Sequence, residues 1–538
     1  GSRLHVFEFV EDTATLGTEC VRHGSSKAWT PLSAFARTTA QYDTSLNASY
    51  VAGHLLPLFE YAAEIIPQQY WNTTVVKYGA TAGMRLIDED EQEAVYDAVY
   101  EGLTTSNRFQ FSSMRREDVA TLGGDLEGFY GAVAVNYLRG VIDSRMHMKG
   151  NESHIFGQDK DDWHSLQYDG PLGALDMGGA SAQIVYLPEI SSTCSSEHAL
   201  RGDMLDKVDF QDSCKNVHLE SEKQLSESDF FSTSYLAYGV DQFRERLWDT
   251  LLDDEVRARE ADPQSCSTGF ILNPCAFRGY KTEWKGHVLV GTGNADECMA
   301  HVQRHIPHHE EVAPRGEHGM GERVTLNNSA YENTDRRVGG VDHPPLRGKF
   351  YGMSLYFFTL DCLRELSAHK GLDMSWPTPS IEELTDALDG LCSRDWHSDL
   401  AQIQHSSHEF TRAEVLPHRC IEAVYLVTLL RDGFGFKPKS RDITFTFHVD
   451  GNEVDWSLGM ALAINAQNVV DLHGSKEGFC DDETNSNESA VMSPKSILSD
   501  RECVKLSDAD DPSNSTERYL EATSSSPTCP AFCATHAT

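Results

Sequence analysis

Apolar and polar residues alternate along several short stretches of the chain, and most of these stretches end in glycine or another small residue. Residues 173–186 read GALDMGGASAQIVY, which is an apolar run, a turn of small residues and a second apolar run. Such runs between turn residues are typical of strands, so the stretch predicts a strand, a tight turn and another strand. The opening LHVFEFV and the run from Thr73 to Tyr78 predict further strands.

Helical patterns lie between the predicted strands. They cover residues 46–69, 88–102 and 122–142, and further helices are predicted from Ser380 and from Val454. From about Gly474 the composition changes to Ser, Asp, Glu, Asn and Pro, which predicts a flexible tail that contains cysteines.

Length and charge narrow the class of protein. The 538 residues are too many for a single core, so we expect two lobes or domains. A formal net charge of −38 disfavours binding to nucleic acid or to an anionic membrane, and a phosphate ligand would need a cation and local N–H groups to neutralise it. No apolar run reaches about eighteen residues, so no membrane-spanning helix is predicted.

The small-residue turn has the composition of a phosphate site. Gly178 and Gly179 lack the Cβ atoms that would keep the backbone away from a ligand, and the exposed N–H groups of such a turn form a concave anion nest. Asp176 precedes the turn and is able to hold a metal ion or its waters. Ser181 and Gln183 follow it and are able to orient a water molecule. An ordinary hairpin with a glycine turn explains the same residues, and this stretch alone leaves both interpretations open.

A second candidate is Glu127, near the start of the predicted helix 122–142. This helix opens with glycines and an acidic pair, and Gly128 leaves the carboxylate exposed at the positive end of the helix dipole. The carboxylate is placed either to act on a ligand or to cap the helix.

Thirteen cysteines and a set of Asn-X-Ser/Thr sequons favour the secretory lumen or the extracellular side, with buried reduced thiols and chance sequons as the alternative. The sequons begin at Asn47, Asn72, Asn151, Asn327, Asn487 and Asn514. The odd number of cysteines leaves one thiol unpaired or paired outside the chain. A bridge between Cys362 and Cys392 would join one helix to the loop that follows the next.

Five stretches in order make the chain resemble the apyrase or ecto-nucleoside triphosphate diphosphohydrolase family, whose members cleave terminal phosphates from nucleoside tri- and diphosphates. They are residues 1–9, which resemble a first block whose Asp-Ala-Gly turn is cut away, GATAGMR at 79–85, GGDLEGFYGAVAVNYL at 123–138, LDMGGASAQ at 175–183 and VDWSLG at 454–459. The family-like stretches STSYLAYG, NPCAFRGY and GTGNADEC lie between them in the expected order. Each motif alone is weak, whereas the ordered set is specific.

The resemblance implies an α/β, two-lobed, actin-like fold, related to the sugar kinases and heat-shock ATPases, with the nucleotide in a cleft between the lobes. We therefore expect a first lobe over residues 1–122 and a second lobe, with long acidic insertions, over residues 123–452. The chain should return to the first lobe at about residues 453–475, and residues 476–538 should form the tail.

The resemblance also implies roles for individual residues. Glu127 matches the family's catalytic base, and Ser181 and Gln183 match residues that position the attacking water with it. The other implied roles are water-mediated binding of Ca²⁺ or Mg²⁺ by Asp176 and Trp456, phosphate binding by Ser2, Arg3, Thr81, Gly178, Gly179 and Ala180, and base stacking by Tyr356 and Phe434. This set requires no covalent phosphoenzyme, so we expect direct attack by water.

The chain departs from the family pattern at several positions. Leu126 and Ala132 stand where relatives have an acidic residue and a tryptophan, and Thr233 stands where relatives often have histidine. Because Glu127 is retained, we expect these changes to alter packing or rate. The cut first block lacks the family's metal-side aspartate, so the chain as written is expected to hydrolyse nucleotides poorly or not at all. A signal segment or anchor before residue 1 is compatible with the sequence.

Two other functions stay open at the level of sequence. One is an exopolyphosphatase-like enzyme of the same superfamily, which shares a DxGG turn and a catalytic glutamate. The other is a secreted nucleotide-binding or adhesive protein that has kept the fold and lost catalysis. The preference for tri- or diphosphates, the oligomeric state and the choice among cell-surface, secreted and Golgi residence are left undecided.

Overall fold

Two five-stranded sheets form the framework of the chain in a computed structural model. The structure describes residues 1–12, 17–36, 46–149, 170–188, 223–261, 269–307, 337–367, 374–400, 410–474 and 531–537. Residues 1–467 and 529–538 form one compact unit, and residues 468–528 form another. Both sheets belong to the first unit, so the lobe boundary near residue 122 remains a prediction.

The first part of the chain alternates long strands with helices. Its elements are β1 (Ser2–Asp12), β2 (Gly17–Ala28), α1 (Ala48–Ile65), β3 (Val75–Ala80), α2 (Ala82–Arg85), α3 (Glu89–Thr104) and β4 (Val119–Thr121). Helix α1 begins where the Asn47 side chain accepts the N–H of Tyr50 at 3.1 Å, a normal N-cap. Val51, Leu55 and Phe59 are buried on one face of this helix, which fixes the face it turns to the sheet.

The rest of the described chain contains more and shorter elements. Up to residue 305 they are α4 (Gly124–Leu138), β5 (Gly173–Met177), β6 (Ser181–Tyr186), β7 (Phe231–Leu236), α5 (Val240–Ala261), β8 (Ile271–Asn273), β9 (Lys281–Trp284), β10 (His287–Gly291) and α6 (Ala295–His305). After residue 305 they are β11 (Arg337–Val338), β12 (Val341–Asp342), β13 (Phe350–Gly352), α7 (Leu355–Ser367), α8 (Ile381–Cys392), α9 (Arg419–Thr428), β14 (Ile443–Phe445), β15 (His448–Val449), β16 (Asn452–Glu453), α10 (Trp456–Gly474) and β17 (Ala531–Ala537).

The first sheet has the order β2-β1-β17-β3-β4, and we call it and its helices the first lobe. Strands β1 and β2 form an antiparallel hairpin whose register shifts between Val6 and Phe7. Strand β17 lies in the centre, antiparallel to β1 and parallel to β3. Its seven residues belong to the segment whose composition predicted a flexible tail, and their pairing with two neighbours places them in regular structure. Residues 475–530 of that segment lie outside the described residues.

The second sheet has the order β14-β13-β5-β6-β7, and we call it and its helices the second lobe. Strands β14, β13 and β5 are parallel, whereas β6 and β7 continue the sheet in antiparallel fashion. The predicted strand, turn and strand over residues 173–186 are therefore confirmed as β5 and β6. This hairpin lies in the interior of the sheet, since every residue of β6 is buried.

Helices α4 and α10 join the two lobes. Each lobe has its own large apolar core, and a third cluster lies between them. This cluster combines Phe7 and Phe9 of β1, Phe129 and Val133 of α4, Ala174 of β5, Val185 of β6, and Leu458 and Leu462 of α10. Such packing requires helices that approach each other closely. At Gly459 an added Cβ would overlap the backbone carbonyl of Tyr130, so only glycine fits where α10 crosses α4.

Disulfides within the described ranges join Cys275 to Cys298 and Cys392 to Cys420, all in the second lobe. The expected bridge between Cys362 and Cys392 is wrong, because Cys420 at the start of α9 is the partner of Cys392, and Cys362 is a buried free thiol.

Features tied to the secretory pathway or to a membrane are only partly visible. The sequons at Asn151, Asn327, Asn487 and Asn514 lie outside the described residues. In the part of the chain that the structure describes, no helix is both long and apolar enough to cross a membrane.

The α4–α10 crossing gives a test of the fold. Gly459→Ala should lower the free energy of unfolding by about 2–3 kcal/mol, because the methyl group has no room against the α4 backbone. Gly53→Ala is the matched control, since Gly53 lies in α1 with open space around it, and alanine there should add about 0.5–1 kcal/mol through helix propensity. Urea unfolding followed by circular dichroism measures both. Equal unfolding midpoints for the two variants would contradict the crossing.

Candidate active site

Backbone hydrogen bonds fix the turn between β5 and β6 in place. Across this hairpin Asp176 is paired with Gln183, and the N–H of Gly178 donates to the carbonyl of Ser181 at 2.9 Å. Backbone N–H groups from α5 and the loop before it donate to the carbonyls of the turn. These bonds run from Val240 to Gly178 at 3.0 Å, from Asp241 to Gly179 at 3.0 Å and from Ala237 to Ala180 at 2.8 Å.

The carbonyls of the turn accept these hydrogen bonds, whereas its N–H groups remain available to a ligand. Among the described residues, none accepts a hydrogen bond from the N–H of Gly179 or of Ala180. Gly239 allows the close approach, since a Cβ there would overlap the turn backbone. Two free N–H groups in a glycine turn form a concave anion site. The anion-nest interpretation therefore has geometric support that the sequence alone did not give it.

Helix α4 brings Glu127 to this hairpin because two glycines let it approach the sheet. A Cβ at Gly124 would overlap the side chain of Ser234, and a Cβ at Gly128 would lie 2.8 Å from Val185. Glu127 is 7% exposed, and its Oε2 accepts a hydrogen bond from Nε2 of Gln183 at 3.1 Å. The carboxylate thus points into the protein and is engaged with a side chain of the hairpin.

One amide and one guanidinium hold the central side chains together. The Nε2 of Gln183 also donates to Ser181 Oγ at 2.7 Å and to Ser234 Oγ at 3.0 Å. The Nη2 of Arg85 donates to Glu127 Oε2 at 2.9 Å, to Ser181 Oγ at 3.2 Å and to Ser234 Oγ at 3.4 Å. The three predicted catalytic residues therefore lie in one hydrogen-bonded group, together with two side chains that were not predicted.

Arg85 and Ser234 are the residues that sequence reasoning missed. Arg85 closes the GATAGMR stretch and anchors itself by donating Nη1 to the carbonyl of Leu122 at 2.8 Å. Ser234 follows Thr233 in the STSYLAYG stretch, and its N–H donates to Asp125 Oδ1 at 3.0 Å. A sequence signal for Arg85 and Ser234 was present, because both residues lie in family-like stretches and carry polar groups. Nothing in a linear sequence, however, shows that a residue of the first lobe reaches the glutamate.

Burial sets the electrostatics of the glutamate. Removal from water raises the pKa of Glu127 to about 7, and the neighbouring Asp176 adds to this, whereas the ion pair with Arg85 lowers it. The carboxylate is therefore poised near neutral pH, where a general base is most effective.

Asp176, a half-buried residue, supplies a second carboxylate beside the turn. Burial raises its pKa, a hydrogen bond from the Ser354 side chain lowers it, and Asp455 raises it. Ser354 has a φ of 52°, an unusual backbone conformation for a residue with a side chain, and it lies just after β13. The described residues contain no group of three or more side chains able to hold a metal ion by themselves.

The residues of the first lobe that are predicted to bind phosphate are Ser2, Arg3 and Thr81. Ser2 is buried, and its hydroxyl hydrogen bonds to the Tyr78 hydroxyl at 2.8 Å. Arg3 forms an ion pair with Glu453. Thr81 is buried at the N-cap of α2, four residues before Arg85. Of these three predicted phosphate residues, Ser2 and Arg3 are engaged away from the Glu127 group, and Thr81 begins the short helix that carries Arg85.

Trp456 lies on the first lobe at the start of α10. Its indole lies against β3, since a Cβ at Gly79 would come within 3.0 Å of the ring. The preceding Asp455 accepts hydrogen bonds from the N–H of Ser457 at 2.9 Å and from Arg22 Nη2 at 2.9 Å. Asp455 thereby ties the start of α10 to β2, and Trp456 is fixed between α10 and β3.

The predicted base-stacking residues are both inside the protein. Tyr356 and Phe434 are both completely buried in the core of the second lobe. The ring centroid of Phe434 is 6.0 Å from that of Tyr235. The structure thus presents neither ring at a surface, and base binding by these two residues stays a prediction.

The family follows from a match along most of the chain. The sequence model of the GDA1/CD39 (nucleoside phosphatase) family matches residues 1–475. The chain belongs to this family. The resemblance to apyrases that the five ordered motifs indicated is thereby confirmed.

Individual GDA1/CD39 relatives share about a quarter of their residues with the chain. Ectonucleoside triphosphate diphosphohydrolase 1 of Mus musculus is 27% identical over 78% of this chain and 71% of its own length. The Golgi apyrase of Saccharomyces cerevisiae is 23% identical over 87% of this chain and 69% of its own length. Nucleoside triphosphate hydrolases from Neospora caninum share the fold, with a TM-score of 0.51 and 13% identity over 84% of this chain and 87% of that one. The actin-like α/β fold is therefore confirmed.

The ion pair between Arg85 and Glu127 gives a test of the nucleoside phosphatase site. Arg85→Gln removes the cation that lowers the pKa of Glu127, so this pKa should rise further above its ordinary value. Because a base works when deprotonated, the rise of kcat/KM with pH should move to higher pH, by about one unit. Arg108→Gln is the matched control, since Arg108 pairs with Glu60 on the surface of the same lobe. An unchanged profile for Arg85→Gln would contradict the pairing.

Proposed function

We propose that the chain hydrolyses the terminal phosphate of nucleoside tri- and diphosphates by direct attack of water, with a divalent cation. The observation that carries this proposal is the buried group of Glu127, Gln183 and Ser181 directly beside a turn with free N–H groups. A base, two groups that orient water and an anion site are what phosphoanhydride hydrolysis needs.

Glu127 acts as the base in this mechanism. Its pKa of about 7 leaves a substantial fraction ionised at neutral pH, while the raised value makes it a stronger proton acceptor than an exposed glutamate. The amide of Gln183 and the hydroxyl of Ser181 position the water, and Glu127 takes one of its protons as the water oxygen attacks the terminal phosphorus. The bond from that phosphorus to the bridging oxygen breaks at the same time, so the nucleotide leaves with one phosphate fewer and inorganic phosphate is formed. Glu127 then returns its proton to a product or to solvent.

Attack by water suits the site better than attack by Ser181. The Ser181 oxygen already accepts hydrogen bonds from Gln183 and from Arg85, and both donors reduce the electron density available for nucleophilic attack. The N–H groups of Gly179 and Ala180 are placed to stabilise charge on the phosphate oxygens. The Arg85 guanidinium adds a positive charge beside the base.

The residues present fit a cation that is held through waters and substrate phosphates. Half-buried Asp176 supplies a carboxylate next to the turn, and Asp455 lies closely enough to raise its pKa. A full cage of protein ligands is absent from the described residues, which is the usual arrangement for Mg²⁺ bound with a nucleotide. When bound, Ca²⁺ or Mg²⁺ would neutralise phosphate charge. Asp176 and Trp456 are the residues that would orient its waters.

We also assign the chain to the secretory pathway or the cell surface. The relatives are named as ecto-enzymes and as a Golgi apyrase, and the disulfides of the second lobe suit an oxidising compartment. The substrate is a nucleoside di- or triphosphate. The acidic composition disfavours nucleic acid as a partner.

The deciding experiment is phosphate release by wild type and by Glu127→Gln. Glutamine keeps the size of the side chain but cannot accept a proton, so kcat should fall about 100- to 10,000-fold in a chain whose circular dichroism spectrum shows that it still folds. ATP, ADP, UDP, GDP and polyphosphate are the substrates, each with Ca²⁺, with Mg²⁺ and with excess chelator. Chelation should abolish release of phosphate from every nucleotide.

Two outcomes would reject the proposal. Turnover of polyphosphate alone would make the chain an exopolyphosphatase-like enzyme. If neither wild type nor Glu127→Gln releases phosphate while calorimetry shows that both bind nucleotide, the chain is a nucleotide-binding protein without catalysis.

A further inference from the structure

An exposed tryptophan contacts two cations where the lobes meet. Trp29 follows β2 and is 67% exposed, the most of any large apolar side chain among the described residues. The Lys27 ammonium lies 4.5 Å from the centroid of its ring, and the Arg412 guanidinium carbon lies 5.2 Å from the same centroid. Each contact is a cation–π interaction, worth little by itself at an exposed position.

The two cations come from different lobes. Lys27 is on β2 of the first lobe, whereas Arg412 lies before α9 of the second lobe. The segment around Arg412 is fixed to α9, since Arg419 Nε donates to the neighbouring Thr411 hydroxyl at 3.1 Å. The ring of Trp29 therefore contacts one cation of the first lobe and one cation of the second lobe.

The cations repel each other, although each has an acidic residue nearby. Since both lie near one ring centroid, they are separated by at most about 10 Å, which is one Debye length at 0.1 M salt. Lys27 stands opposite Arg3 in the hairpin, and the nearby Glu453 is already paired with Arg3. Arg412 pairs with the exposed Glu414 at 3.2 Å. Burial lowers the pKa of Lys27, Arg3 and Arg412 lower it further, and Glu453 raises it.

The cluster adjoins the start of β1. Ala28, between Lys27 and Trp29, is paired with Ser2. A Cβ on Gly1 would lie 2.9 Å from the Trp29 carbonyl oxygen. In a chain with a net charge of −38, the gathering of Lys27, Arg3 and Arg412 at this place favours an anion there over any other ligand.

We propose that Lys27 and Arg412, aligned by the ring of Trp29, bind the phosphate chain of the nucleotide from both lobes. This inference rests on the proposed function for the identity of the anion. A triphosphate carries more charge and reaches further than a diphosphate, so the pair favours triphosphates. Because one cation comes from each lobe, an anion between them also draws the lobes together.

The test separates binding from turnover. Inorganic tripolyphosphate is titrated into the full chain in a calorimeter, with chelator present so that no hydrolysis occurs, at low and at high salt. Lys27→Gln and Arg412→Gln should each weaken binding about three- to ten-fold, and the double variant more than either. Trp29→Ala should weaken binding in the same direction, whereas Trp29→Phe should resemble wild type because it keeps an aromatic face.

Kinetics provides the second readout. In the two glutamine variants KM for ATP should rise about three- to ten-fold, KM for ADP should rise less, and kcat should stay within about two-fold of wild type. Lys285→Gln is the matched control, since Lys285 lies over the Trp284 ring at 5.5 Å in the separate three-stranded sheet of β8, β9 and β10, and it should change neither constant.

The outcomes distinguish the two proposals. If wild type hydrolyses nucleotides while tripolyphosphate affinity and KM are the same in all variants, the phosphate pair is rejected and the proposed function stands. If tripolyphosphate binding depends on Lys27 and Arg412 while no nucleotide is hydrolysed, the proposed function is rejected and the anion pair stands.

Discussion

The site depends on one guanidinium. Arg85 sits on a single turn of helix in the first lobe, yet its Nη2 reaches the glutamate of α4 and the hydroxyls of Ser181 and Ser234 in the second lobe. Without this side chain, Glu127 would be a buried carboxylate held by the Gln183 amide alone. A buried charge without an opposite charge is costly, so the pKa of Glu127 would rise further and more of the side chain would be protonated at neutral pH. The ion pair therefore stabilises the ionised form of the proposed base.

The glycines of α4 are the second condition for the site. Gly124 and Gly128 lie one helical turn apart on the face that meets the second sheet, and side chains there would hold the helix away from β6 and β7. Because the helix lies close to the sheet, the Glu127 side chain reaches Gln183. The same approach excludes water from the carboxylate, and this exclusion raises its pKa. Packing and acid–base strength thus have one cause.

The sequence predicts the individual elements of this site well, but it predicts poorly which residues contact each other across the chain. The hairpin around Gly178 and the helix of Glu127 follow from short patterns, because glycine turns and helix starts are determined by neighbouring residues. The Arg85 contact, the orientation of Ser2 toward Tyr78 and the pairing of Cys392 depend on residues far apart in the chain. The central place of β17 is of the same kind, since the polar composition before it gives no periodic signal. Long-range contacts of this type need the tertiary structure.

The hydrogen bonds from α5 to the turn between β5 and β6 restrict the motion of that turn. The first N–H groups of this 22-residue helix hold the carbonyls of Gly178 and Gly179, so the peptide planes of the turn cannot rotate unless the helix moves. A displacement of α5 would therefore re-aim the N–H groups of Gly179 and Ala180. Conversely, an anion held by these N–H groups would restrain the position of α5.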